Sequence, residues 1–306
     1  MSIRLKAAAT AAGALIAFAA VAQTVDLSPE QAGRVHTDKI DAAVAAVSPS
    51  YQFVKDGAFT VGVSVSDPPL NTYATDAKTV IGADADIAVL VAEALGRKVE
   101  FVPVAWDDWP LGLTSGKFDA VITNVTVTEE RKERFDFSSY RQDVLGAYVA
   151  LNSPIQQVKE PKDIAGLRVI VGAGTNQEKI VVEWDRQNQA AGLKPVEFLY
   201  FDDRGAAQLA LQSGRADVEI NPNSRLAYAA AVNGKIRSVG VINGGWPLTA
   251  EIAVTTRKGA GLAEGVTAAL NALIANGKYA QALNRWGLGA EAVETSRTNP
   301  PGLPKV

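Results

Sequence analysis

Thr123, Asn124, Thr126 and Thr128, followed by Arg131, form the run of this chain whose side chains can do chemistry together. The run leaves a short apolar segment, 120–123, read as a strand. It enters a helix expected to begin at Thr128, whose hydroxyl would cap the free amides of Glu129, Glu130 and Arg131. Arg131 breaks a local rule, because a cation in a first helical turn faces the positive end of the dipole, where an acid gains roughly 0.3–1 kcal/mol. A local cost without a local gain points to a site. Free amides, three small polar side chains and a planar guanidinium at a strand's C-terminal edge suit a carboxylate or similar anion. Arg131 can equally pair with a neighbouring Asp or Glu, and on these residues alone both readings stand.

The elements that must position this run repeat. Strands are expected at 59–65, 99–104 and 120–123, with helices at 84–95 and 109–114 between them; Ile87, Leu90, Val91 and Leu95 share one face of the first helix. The order then recurs, with strands at 167–171, 196–201 and 217–220 and helices at 176–190 and 206–212. Val99-Glu100-Phe101 matches Val196-Glu197-Phe198. Leu113, Ser115, Gly116, Lys117 and Asp119 match Leu211, Ser213, Gly214, Arg215 and Asp217. Two copies of a βαβαβ unit predict two α/β lobes of similar build. Ligands of such sheets sit at strand C-terminal edges, so facing lobes make a cleft. The second lobe brings Gly172-Ala173-Gly174-Thr175-Asn176-Gln177, which completes neither the dinucleotide nor the P-loop pattern; it leaves a glycine turn and a helix N-terminus with free amides.

The chain has 306 residues, 47% hydrophobic, enough for two medium domains with cores. Arg4 and Lys6, an apolar run over 7–21 and the triplet Ala20-Val21-Ala22 predict a secretory leader over 1–22. Without Arg4 and Lys6, 28 basic residues face 33 acidic ones, a net charge of −5. That balance gives no footprint for nucleic acid. Zero cysteines exclude disulfides, thiol nucleophiles and a lipid-modified cysteine, so the mature protein is expected free in a periplasm, as a monomer. The single histidine, His36, lies in an N-terminal helical extension over 23–55, read as packing outside the first lobe, and no metal or other cofactor is expected. The Pro-rich tail from Asn299 reads as loose.

From about Ala58 to Gly289 the chain resembles family 3 of the bacterial extracellular solute-binding proteins, the polar-amino-acid receptors of ABC importers. The resemblance is carried by Thr123, Asn124, Thr126, Thr128 and Arg131, and by a closing element with Gly277, Tyr279, Trp286 and Gly287. It implies a type II periplasmic-binding-protein fold: lobe 1 over 56–148, lobe 2 over 149–252, and a lobe 1 return with the tail over 253–306, two doubly wound sheets joined by a two-strand hinge at 146–151 and 251–256. It further implies that the hydroxyls and Arg131 take a ligand carboxylate, that Trp106 lines the cleft, and that Thr175 and Asn176 touch the ligand. The partners it implies are a small solute, a permease and its ATPase.

Two departures matter. An aromatic that covers the ligand in relatives is Asp67 here, and the lobe 2 Asp that takes an α-ammonium is Pro222, between Asn221 and Asn223, which are counted with the cleft. A buried ammonium needs an anion. Asp67 is favoured, with Trp106 and Trp246 offering flat faces to a cationic or planar ligand; Glu219 is the second candidate, read as buried in its strand or on the reverse face. The family also resembles periplasmic cyclohexadienyl dehydratases, so an arogenate or prephenate dehydratase is the alternative to a non-enzymatic receptor.

Overall fold

The computed structural model describes residues 25–66 and 68–305. The leader expected over 1–22 and the candidate Asp67 lie outside the described residues. Among these, two five-stranded sheets and a two-stranded hairpin form.

In the first sheet the order is Lys98–Pro103, Ala58–Val63, Ala120–Val121, Glu251–Arg257, Phe135–Gln142. The first three are parallel, and Glu251–Arg257 runs antiparallel to both of its neighbours. The second sheet follows the same plan with Glu197–Leu199, Arg168–Ile170, Val218–Pro222, Val144–Ala150 and Ile236–Asn243, and Val144–Ala150 is its antiparallel member. Each sheet thus holds a three-stranded parallel unit of the duplicated plan plus two further strands, one flanking each crossing. At the end of the helices Trp109–Thr114 and Arg204–Gln212 the chain reverses through Gly116 and Gly214, at φ of 77° and 73°, where a side chain would be strained.

Neither hinge strand expected at 146–151 and 251–256 crosses between lobes, since each pairs within one sheet. The changeovers lie at Asp143 and between Asn243 and Glu251, several residues before the expected boundaries after 148 and near 252. The two crossings run side by side: Asp143 N donates to Ala250 O at 2.8 Å, and Gly244 N to Asp143 O at 2.9 Å.

The helix Ala83–Ala94 is buried on nearly every face, between the first sheet and the helices Ala263–Ala275 and Lys278–Arg285. Its acids Asp84 and Asp86 are fully buried, which the apolar stripe alone does not predict. Asp86 accepts from Arg34 Nε, Arg285 Nη1 and Trp286 Nε1 at 2.6–2.8 Å, tying the N-terminal extension to lobe 1. The described part of that extension holds only a five-residue helix, Asp41–Ala45, and is otherwise irregular. Ile40 N donates to Ala94 O and Tyr51 OH to Asp119 Oδ1, so tertiary bonds replace the longer expected helix. Lobe 2 has its own core around Trp184, Val169, Leu145 and Ile220. No described helix is long and apolar enough to cross a membrane.

Candidate functional site

Between the sheets lies a cleft of about 480 Å³, lined by strand ends and turns of both lobes. Lobe 1 contributes Thr123, Asn124, Thr126, Arg131 and Trp106, and lobe 2 contributes Thr175, Asn176 and Asn221; the fold brings these eight expected residues together. Asn223 does not join them. It opens the helix Asn223–Asn233, and its Oδ1 lies beside Gly146, accepting from Tyr148 OH at 3.4 Å. Trp246 is also absent from the cleft: it packs edge-on to Trp184, centroids 5.3 Å apart, in the lobe 2 core.

The helix expected from Thr128 is a single 3-10 turn, Arg131–Glu133, because the strand Phe135–Gln142 begins two residues later. Thr128 Oγ1 does accept from a free amide, that of Arg131, at 3.1 Å. Without a long helix the dipole penalty invoked for Arg131 is largely absent, and its placement rests on geometry. Nη1 donates to Thr126 O at 2.9 Å, which anchors the fork to its own loop. Nη2 reaches across to lobe 2, 3.4 Å from Gly174 O. Cζ sits 5.7 and 5.9 Å from the ring centroids of Trp106 and Trp109. Burial pushes the guanidinium down to about 10, against the pull of the Asp143 and Glu130 charges, so it stays charged near neutrality. Among the described residues no carboxylate is ion-paired with it, and the neighbouring Glu130 pairs instead with Lys179 across the cleft.

The other cradle side chains are already engaged. Thr123 Oγ1 accepts from Ser64 N at 3.0 Å, and Thr126 Oγ1 donates to Asp143 Oδ2 at 2.8 Å. Asn124 holds a φ of 55°, and its Oδ1 accepts from Arg141. Arg141 in turn pairs with Glu291 and stands 4.0 Å from Asp84, whose Oδ1 accepts from Tyr140 OH at 2.7 Å. Burial raises the pKa of Asp84, Asp143 and Glu291, partly offset by Arg141 in each case.

In lobe 2, Thr175 caps the helix Asn176–Ala190, accepting from Glu178 N at 3.3 Å. Asn176 is 5% exposed, and its Nδ2 has no hydrogen-bond partner among the described residues. On lobe 1 the buried Oδ1 of Asn71 is in the same condition, while its Nδ2 donates to Ile122 O. Glu219 is not on the reverse face: it is 4% exposed and lines the cleft, with Oε1 accepting from Asn221 Nδ2 at 2.7 Å and lying 4.0 Å from Arg225. Gln177 Nε2 donates to Asn221 Oδ1 at 3.1 Å, extending the chain. Sequence reasoning missed Asn71, Gln177 and Arg225. Strand alternation, which puts Glu219 and Asn221 on one face, was the available signal for Glu219. No described cluster of His, Cys, Asp or Glu has the make-up of a metal site.

Residues 59–289 match the model of the bacterial extracellular solute-binding proteins, family 3. The L-cystine-binding protein TcyJ of Escherichia coli is 33% identical over 162 residues, 53% of this chain and 57% of that protein, so the match spans little more than half of that relative. An ancestral arginine-binding protein bound to arginine superposes with a TM-score of 0.66 at 30% identity, over 76% of this chain and 98% of its own. AncCDT-1, an ancestral amino-acid-binding protein and precursor of cyclohexadienyl dehydratase, superposes at 0.65 with 27% identity, over 75% and 95%. Lobe plan, cleft and family match agree, and the chain belongs to the bacterial extracellular solute-binding proteins, family 3.

Proposed function

We propose that this protein is the periplasmic receptor of an ABC importer, closing on a small amino-acid-like or amine-containing carboxylate and presenting it to a permease with a cytoplasmic ATPase. The observation that carries this is Arg131, a charged fork on lobe 1 whose free edge faces the lobe 2 glycine turn across the cleft. A carboxylate between them takes charge-assisted bonds from one lobe and polar contacts from the other, so it favours the closed arrangement. The names of relatives that bind cystine, arginine or glutamine support an amino-acid-like ligand. An amine on that ligand is received by Glu219 or Asp67, in place of an acid at Pro222.

The receptor is proposed to act without chemistry. Thermal-shift screening of the mature protein against amino acids, amines and opines tests the binding reading: a carboxylate ligand raises the melting temperature in proportion to its occupancy. A protein that ignores every carboxylate offered, or that changes the mass of arogenate or prephenate on incubation, does not fit it.

A further inference from the structure

The family match ends at Gly289, and the segment beyond it is built into lobe 1 rather than loose. Ser139 N donates to Arg297 O at 3.1 Å and Asn299 N to Phe137 O at 2.8 Å. Phe137 N donates to Asn299 Oδ1 at 3.0 Å, so the tail covers the outer edge of the Phe135–Gln142 strand. Past Asn299 it leaves that edge and doubles the loop that carries Arg131. Leu303 N donates to Val127 O at 3.0 Å, and Glu129 N to Leu303 O at 2.8 Å. Gly302 fits there because it has no side chain: a Cβ would lie 2.7 Å from Thr128 C and 2.8 Å from Glu129 N. The same Leu303 touches a second place, since its Cδ2 occupies ground only 2.5 Å from where a Cβ on Gly245 would stand. Gly245 belongs to the second crossing between the lobes.

We infer that residues 300–305 are a positioning strap: through Leu303 they hold the Arg131 loop in register with the second crossing, so that the anion cradle and the lobe closure move as one unit. The backbone bonds at Val127 and Glu129 fix the residues between Thr126 and the Arg131 turn, and the leucine methyls bind that loop to the crossing. This inference rests on the reading of Arg131 as the carboxylate group, while its main test needs no ligand.

The mature protein is compared with a chain ending after Asn299 and with Leu303→Ala, by amide hydrogen exchange followed peptide by peptide. The truncation keeps the edge pairing through Asn299. Exchange over 125–131 and over 244–250 is expected to rise together by about tenfold or more in both variants, with 58–63 and the helix Asn176–Ala190 unchanged. A rise throughout the first sheet, which marks a mere edge cap, overturns the inference, and so does a rise in the loop without the crossing. Calorimetry with L-arginine, L-glutamine and L-cystine is the second arm. An intact protein that binds none of them and no other carboxylate counts against the receptor reading, whereas an exchange pattern confined to the two segments upholds the strap in either case.

Discussion

Replacing Arg131 with alanine tests the site most directly. The guanidinium has five N–H donors. One is anchored to Thr126 O and one makes the long contact to Gly174 O, which leaves three for a bound carboxylate. Truncating one partner of a buried, hydrogen-bonded charge pair costs roughly 2–5 kcal/mol. At 1.4 kcal/mol per decade, Kd for a carboxylate ligand rises by about 30-fold to a few thousandfold. The fold is expected to survive, because Arg131 stands on a one-turn loop, ion-paired with no described residue and held by a single good bond to its own segment. Isothermal titration of the variant against the ligand found by screening, with its thermal melt alongside, reads both quantities. Arg131→Lys keeps the charge and loses the fork, so it recovers only part of the affinity. Unchanged affinity in Arg131→Ala, or a loss matched by unfolding, refutes the assignment.

The remaining predictions concern the acids around the cradle. Asp143 has a folded-state pKa above its unfolded value because it is buried; its contribution to stability is complete below about pH 4 and is lost as pH rises through the folded pKa. Asp143→Asn is therefore expected to gain melting temperature relative to wild type as pH goes from 4 to 7, and parallel melting curves would count against it. Glu291→Ala leaves Arg141 buried beside Asp84 with its closest acid gone, an expected loss of about 3–5 kcal/mol in denaturant unfolding, whereas Arg141→Met with Glu291→Leu and Asp84→Asn, which leaves no buried charge behind, costs less. Glu219→Gln and Asp67→Asn are each titrated against an amine-bearing carboxylate and its amine-free analogue. The acid that receives the amine weakens the first about tenfold more than the second, the scale of a charged hydrogen bond, and equal losses in both variants would remove the ammonium role.

What could be read from the sequence was local or repeated. The aligned Ser-Gly stops at Gly116 and Gly214 fixed the length of each unit, and with it the two lobes and their facing edges; of the eight cleft residues, Thr123, Asn124, Thr126 and Arg131 followed from their own chemistry, and Trp106, Thr175, Asn176 and Asn221 from the family resemblance. What escaped depends on partners far apart in the chain. Arg141 meets Glu291 across 150 positions, and Asp86 meets Arg285 across 199, so no periodicity marks these acids as buried. The crossings escaped because the strands Val144–Ala150 and Glu251–Arg257, each buried over its five middle residues, look from the sequence as a crossing strand would. The tail escaped for the opposite reason: its prolines and glycine read as loop, yet an edge strand accepts such residues wherever its own donors are not needed. Asn223 was drawn in by its place beside Pro222, but a helix starting there turns its side chain toward Tyr148.

On the proposed reading, the engaged state of the cradle bears on the kind of ligand it would select. A hydroxyl has one hydrogen to give and two lone pairs to receive. Thr126 gives its hydrogen to Asp143, at the crossing, so toward the cleft it can only accept. Asn124 has its carbonyl oxygen occupied by Arg141, which leaves its amide to donate. The rim of lobe 1 therefore offers donors at Arg131 and Asn124 and acceptors at Thr126 and at Asn71, whose buried Oδ1 has no partner among the described residues. An anion and an amine carried on one small molecule match that pattern, whereas a simple dicarboxylate would leave the acceptors facing like charge. Because the orienting bonds come from the crossing and from buried acids, these groups are fixed before any ligand arrives, and little ordering entropy is lost on binding. The buried Arg141–Glu291–Asp84 cluster is then best understood by what it holds. It is a poor source of stability, and it keeps Asn124 in a left-handed backbone conformation at the mouth of the cleft.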